Sequence, residues 1–115
     1  MRASVRKQRS KRNLQKRKQI VDRAVAARDA LAAKIGDLTA IVDPLPTGWL
    51  KDSCWASLHR AEAMMQKASR QAAGIDIEDD GLDRFELKAI LTDLDTKKTT
   101  AYIANRSEIT YMASR

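Results

Sequence analysis

Apolar residues recur every three or four positions in three stretches of the chain, and this spacing predicts α-helices. The first stretch covers approximately residues 13–42, and DPLPTG at 43–48 ends it because each proline disfavours helical backbone in the preceding residue. Arg17 and Arg28 interrupt its apolar stripe, so the stretch is not a continuous coiled-coil seam. The stripe consists of Leu14, Val21, Ala24, Leu31, Ile35, Leu38 and Val42.

Two further helices are predicted at approximately residues 50–73 and 82–113. Gly74 is placed to cap the second helix, and the third is expected to begin near Leu82 or Asp83. Four threonines between 92 and 100 lower helix propensity, so a break near Thr96 is left open. The apolar sets are Trp55, Leu58, Ala61, Met65, Ala68 and Ala72 in the second helix and Phe85, Leu87, Ile90, Leu91 and Leu94 in the third.

The fold class predicted from this pattern is all-α. Only four glycines and two prolines occur in 115 residues, which argues against an architecture of strands and turns. We expect a helical hairpin or a three- to four-helix bundle over residues 19–115. Its long N-terminal helix would be preceded by a basic arm, residues 1–18.

Charge is distributed very unevenly along the chain. The arm holds nine of the 22 basic residues and no acid, whereas residues 19–115 carry 13 basic and 15 acidic groups. The pI of about 9.9 therefore reflects the arm and not the remainder of the chain. The nine candidate nucleic-acid-binding residues are Arg2, Arg6, Lys7, Arg9, Lys11, Arg12, Lys16, Arg17 and Lys18.

The arm is suited to contacting phosphates and poorly suited to reading base sequence. At 100° per residue its cations point all round a helix, and it has neither an apolar face for a membrane nor amide side chains on one side for base edges. Repulsion between like charges predicts that residues 1 to about 12 are disordered in free solution and fold on a polyanion. The alternatives are a solvated tail, a localisation signal, or an arm that docks on an acidic protein surface.

The sequence offers little for catalysis or metal binding. Cys54 and His59 are the only residues of their types, and their spacing places them on different sides of a helix. We expect Cys54 to be buried and His59 to lie on a polar face. The segment 76–87 resembles the start of a calcium-binding loop, but Leu87 stands where the bidentate glutamate is required. We therefore predict no enzyme activity, no catalytic residue, no metal and no cofactor.

The function predicted is a non-enzymatic nucleic-acid-binding or packaging protein that forms a homo-oligomer or a larger assembly. The candidate interface residues are Trp49, Trp55, Leu31 and Ile35. The alternatives are a structural or adaptor component of a phage or virus particle, and a small regulator of a nucleic-acid enzyme. No apolar segment resembles a secretion signal or a membrane span, so an intracellular or intravirion location without membrane contact is expected.

Overall fold

The computed structural model describes the backbone of residues 2–75, 77 and 81–113, and the side chains of residues 14–75, 77 and 81–107. These residues form three helices: α1 (Arg2–Val42), α2 (Trp49–Ala72) and α3 (Arg84–Ala113). No strand occurs in the described part of the chain. The all-α prediction is confirmed. The disorder predicted for residues 1 to about 12 concerns free solution and stays a prediction.

The turn after α1 closes where the prolines predicted it. The Leu45 amide donates to the Val42 carbonyl at 3.0 Å, and the Leu45 side chain is buried. From the first turn of α2, the Lys51 ammonium donates to the carbonyls of Asp43 and Leu45 at 3.1 and 3.2 Å. This lysine therefore satisfies carbonyl oxygens of the turn that follows α1 and ties that turn to the start of α2.

The connection between α2 and α3 begins and ends with standard helix caps. Gly74 has φ +80°, and the amides of Gly74 and Ile75 donate to the carbonyls of Gln71 and Arg70 at 3.0 and 2.8 Å, which is a Schellman motif. At the other end, Asp83 Oδ1 accepts from the amides of Phe85 and Glu86 at 2.9 and 3.2 Å. Asp83 is thus the N-cap of α3. The remaining acids of the predicted loop, Asp76, Glu78, Asp79 and Asp80, lie outside the described residues.

Helix α3 continues through the threonine-rich segment without a break. The hydroxyls of Thr96, Thr99 and Thr100 each donate to the carbonyl four residues earlier, at 2.9 to 3.1 Å. A threonine whose hydroxyl bonds to the preceding turn is compatible with the helix interior.

Helices α1 and α3 run parallel to each other. Helix α2, which lies between them in the sequence, runs antiparallel to both. Lys34 Nζ donates to both carboxylate oxygens of Asp95 at 2.6 and 2.8 Å, and Lys98 Nζ donates to Asp37 at 3.3 Å. Further along, the Asn105 amide donates to the Ile41 carbonyl at 3.0 Å. Because the partners advance along both helices in the same direction, these contacts define the register of the pair.

The core lies between the C-terminal half of α1 and the facing parts of α2 and α3. Among the described residues, the fully buried large apolar side chains are Leu31, Leu38, Val42, Leu58 and Leu94.

Several positions differ from the predicted apolar faces. Ile20 is buried, whereas Leu14 is exposed and Val21 only half-buried. In α2 the buried face is rotated towards Met64 and Gln71 and away from Met65 and Ala72. The placement of Phe85 on the core face of α3 was wrong, because its side chain is 88% exposed.

Candidate nucleic-acid interface

The described part of the basic arm is exposed. Lys16, Arg17 and Lys18 are exposed, as is every residue from Leu14 to Gln19, and Ile20 is the first buried side chain among the described residues of α1. Three consecutive helical positions span about 200° of the helix circumference, so these cations do not share one face. The side chains of Arg2, Arg6, Lys7, Arg9, Lys11 and Arg12 lie outside the described residues.

The four candidate interface residues occupy different environments. Leu31 is fully buried inside the bundle, and Ile35 and Trp55 pack against the same core. Trp49, at the first position of α2, is 79% exposed. Only Trp49 is therefore largely available for a contact with another molecule.

A second exposed surface, which sequence reasoning missed, runs along α3 on the side away from the core. We call it the α3 stripe. Its members follow one another by alternating steps of four and three residues, all are exposed, and none is charged. The α3 stripe consists of Phe85, Ala89, Thr92, Thr96, Thr99 and Ile103.

The α3 stripe has the spacing of a coiled-coil seam. Phe85 is 88% exposed and Ile103 57% exposed, so the large apolar members lie near its two ends. Between these ends, the hydroxyls of Thr96 and Thr99 donate to backbone carbonyls of α3 itself. The middle of the stripe therefore presents mainly methyl groups, and its small side chains allow close approach of another helix.

The polar groups between α2 and α3 form a structural link. Lys97 Nζ donates to Asp93 at 3.0 Å and to the buried Ser57 hydroxyl at 3.3 Å. Burial alone would raise the pKa of Asp93, but hydrogen bonds from Ser57 and Lys97, together with the charges of Lys97 and Arg60, hold that pKa below its usual value. The ionised carboxylate therefore fastens the two helices together.

Cys54 and His59 are placed as the sequence predicted. Cys54 is fully buried, and burial raises the pKa of its thiol, against a smaller lowering by Lys97 and a further raising by Asp93. The exposed His59 ring lies 6.4 Å from the Trp55 ring. Within the described residues no three histidine, cysteine or acidic side chains are grouped to hold a metal. The described helices also include none long and apolar enough to cross a membrane.

A cavity of about 560 Å³ lies where α1 and α3 face each other near the end of α2. The core positions of α1 change here from leucine to alanine, at Ala24 and Ala27, so less side-chain volume fills the space. Gln71 also lines the cavity, and its buried carbonyl oxygen has no hydrogen-bond partner. Such an oxygen costs about 1–3 kcal/mol unless something donates to it. Gln71 follows the buried Met64 by seven residues, so the two side chains lie on the same face of α2.

Comparison of the chain with family models, with curated proteins and with solved structures finds no match.

Proposed function

We propose that the protein binds nucleic acid without sequence preference, through phosphate contacts made by the basic arm, residues 1–18. One observation carries this proposal: nine cations and no acid occupy the arm, while the remainder has a balance of −2. Such a segment attracts a polyanion far more strongly than a neutral surface does. On this proposal the protein acts inside a cell or a virion, where nucleic acid is available.

The arrangement of the cations favours phosphate over base contacts. Lys16, Arg17 and Lys18 are exposed and spread around α1, so no single face enters a groove. Phosphate contacts position a protein on nucleic acid but do not specify a sequence. They also remove the repulsion between like charges four residues apart, such as Lys7 and Lys11. We infer that the first turns of α1 become stable when the arm binds.

The test compares the full chain with a variant in which all nine arm cations are glutamine. Glutamine keeps the length and the helix propensity of the arm, so the change removes only charge. Fluorescence anisotropy is measured with single-stranded DNA, duplex DNA and RNA of unrelated sequences, between about 50 and about 200 mM salt. Six phosphate contacts predict a log–log slope of about −5 on duplex DNA.

A second control keeps the arm composition but shuffles its order, and it should bind as the natural chain does. Equal binding by the glutamine variant, or no binding by the natural chain at about 50 mM salt, would contradict the proposal. A large preference for one sequence would also contradict it, because it would require base readout.

A second candidate function, a structural component of a particle, is favoured by the α3 stripe. In an antiparallel pair of α3 helices, the heptad positions place Phe85 against Ile103, Ala89 against Thr99 and Thr92 against Thr96 of a second copy. Lys88 then lies near Tyr102 of that copy, an arrangement suited to a cation–π contact. The stripe is therefore complementary to itself.

Sedimentation velocity tests this self-association over a range of protein concentrations. Phe85→Asp and Ile103→Asp should each shift the protein towards monomer, because a charge is buried in the pair. Ala32→Asp, at an exposed position of α1, is the matched control and should not. A natural chain that stays monomeric at every concentration rules this assembly out without affecting the phosphate proposal.

A further inference from the structure

The geometry of the cavity between α1 and α3 points to a binding site for a small organic anion with an apolar body. It is independent of the basic arm and of the α3 stripe. Three properties of its lining define the ligand: apolar walls, one buried acceptor, and two cations at the exposed edge.

The walls suit a flat or elongated apolar group. Ala24 and Ala27 line the α1 side, and Leu87 and Leu91 line the α3 side. A volume of about 560 Å³ lies within the range of small-molecule sites and exceeds what one water molecule needs. The alanines leave room that the leucines opposite do not fill.

The buried acceptor requires a hydrogen-bond donor on the ligand. Gln71 is 1% exposed, and its Oε1 has no partner. A rotation of the Gln71 side chain would turn this oxygen towards the cavity, where an amine or hydroxyl group on the apolar body would donate to it. A purely aliphatic molecule would leave it unpaired, so the site discriminates against hydrocarbons.

The cations at the edge select an acidic group. Arg23 and Arg84 both line the cavity, both are exposed, and they stand 61 positions apart, the same spacing as the paired Lys34 and Asp95. The two arginines are therefore at the same level of the parallel helices. A carboxylate, sulfonate or phosphate at this edge would accept hydrogen bonds from either guanidinium.

Two fluorescent probes separate these contributions in the full chain. 1-Anilinonaphthalene-8-sulfonate has an aromatic body, an amine donor and an anionic group, and N-phenyl-1-naphthylamine has the same body and amine without the anion. Each should bind at one saturable site with increased fluorescence. A rise in the midpoint of thermal unfolding distinguishes binding to the folded protein from binding to a loosened one.

The variants assign each contact. Arg84→Gln should weaken the sulfonate probe about tenfold and leave the uncharged probe unchanged, whereas Arg28→Gln, outside the cavity, should change neither. Gln71→Leu should weaken both probes, and Gln66→Leu, exposed on α2, should weaken neither.

Three outcomes would overturn the proposal. They are no saturable binding of either probe, equal loss of both probes in Arg84→Gln, and a loss in Arg28→Gln as large as in Arg84→Gln. Ala30→Phe, which fills the edge of the cavity from α1, gives an independent check. It should abolish binding of both probes, and retained binding in a folded Ala30→Phe protein would place the site elsewhere.

Discussion

Alanine substitution of two apolar residues in α3 should give very different losses of stability. Leu94 is 1% exposed and packs in the core, whereas Phe85 is 88% exposed on the α3 stripe. Leu94→Ala removes buried methyl groups and leaves a cavity, which lowers the free energy of unfolding by about 3–4 kcal/mol. Phe85→Ala removes almost no buried area and gains helix propensity, so we expect a change within about 0.5 kcal/mol.

Urea unfolding followed by circular dichroism at 222 nm measures both values. The measurement is made at several protein concentrations, because self-association through Phe85 would add a concentration-dependent term. Under conditions where the protein is monomeric, a loss above about 2 kcal/mol for Phe85→Ala would refute the outward placement of this side chain. A loss below about 1 kcal/mol for Leu94→Ala would refute the packing of α3 on the core.

Four further substitutions or treatments test the Gly74 cap, the helical glycine at position 36, the buried thiol and the polar link between α2 and α3. Gly74→Ala should lower the free energy of unfolding by about 1 kcal/mol because φ is +80° at this position. Gly36→Ala, in helical backbone with open space around it, should instead raise the free energy of unfolding by about 0.5–1 kcal/mol, and chemical denaturation measures both changes. Cys54, fully buried with a raised pKa, should react with a thiol reagent only as fast as the protein unfolds; rapid labelling of the folded chain would contradict its burial. Asp93→Asn should lower the free energy of unfolding at pH 7 by about 1 kcal/mol. The difference from the natural chain should vanish as the pH falls below the usual carboxyl range, because the lowered pKa of Asp93 stabilises the fold only while the carboxylate is ionised. A constant difference down to about pH 2 would count against the link to Ser57.

The end of α1 and both ends of α2 and α3 follow from local signals, which is why the sequence predicts them well; α1 itself begins at Arg2, earlier than the predicted start near residue 13. The prolines after Val42 and the glycine at position 74 act on their own neighbourhoods, and the structure uses both. The uncertainty about Thr96 also had a local cause. Threonine has low helix propensity, but its hydroxyl bonds to the preceding turn and α3 continues.

Which side of each helix is buried depends on the neighbouring helices, and this was harder to predict from the sequence. Hydrophobicity favours Ala72 over Gln71, yet the approach of α1 and α3 rotates α2 so that Gln71 is buried. In the first turn of α3, Phe85 and Leu87 are equally apolar, and only the position of α1 decides which one faces it. Such choices require the tertiary arrangement.

The two candidate sites, the basic arm and the cavity, also differ in how far the sequence alone predicts them. The nine cations of the arm can be read directly from the sequence because charge density needs no fold. The cavity cannot, because alanines at 24 and 27 look like ordinary core positions until the side chains opposite them are known. The orphaned oxygen of Gln71 likewise depends on burial that three helices create together.

The ion pairs between α1 and α3 also protect the bundle against misalignment. Exposed pairs such as Lys34–Asp95 and Asp37–Lys98 add little stability. However, α1 supplies the lysine of the first pair and the aspartate of the second, while α3 supplies the opposite charges. If α3 slipped by about three residues, close to one helical turn, Lys98 would meet Lys34 in one direction. In the other direction, Asp95 would meet Asp37. Both neighbouring alignments of the parallel helices are therefore penalised by like charges, so two weak contacts select one register.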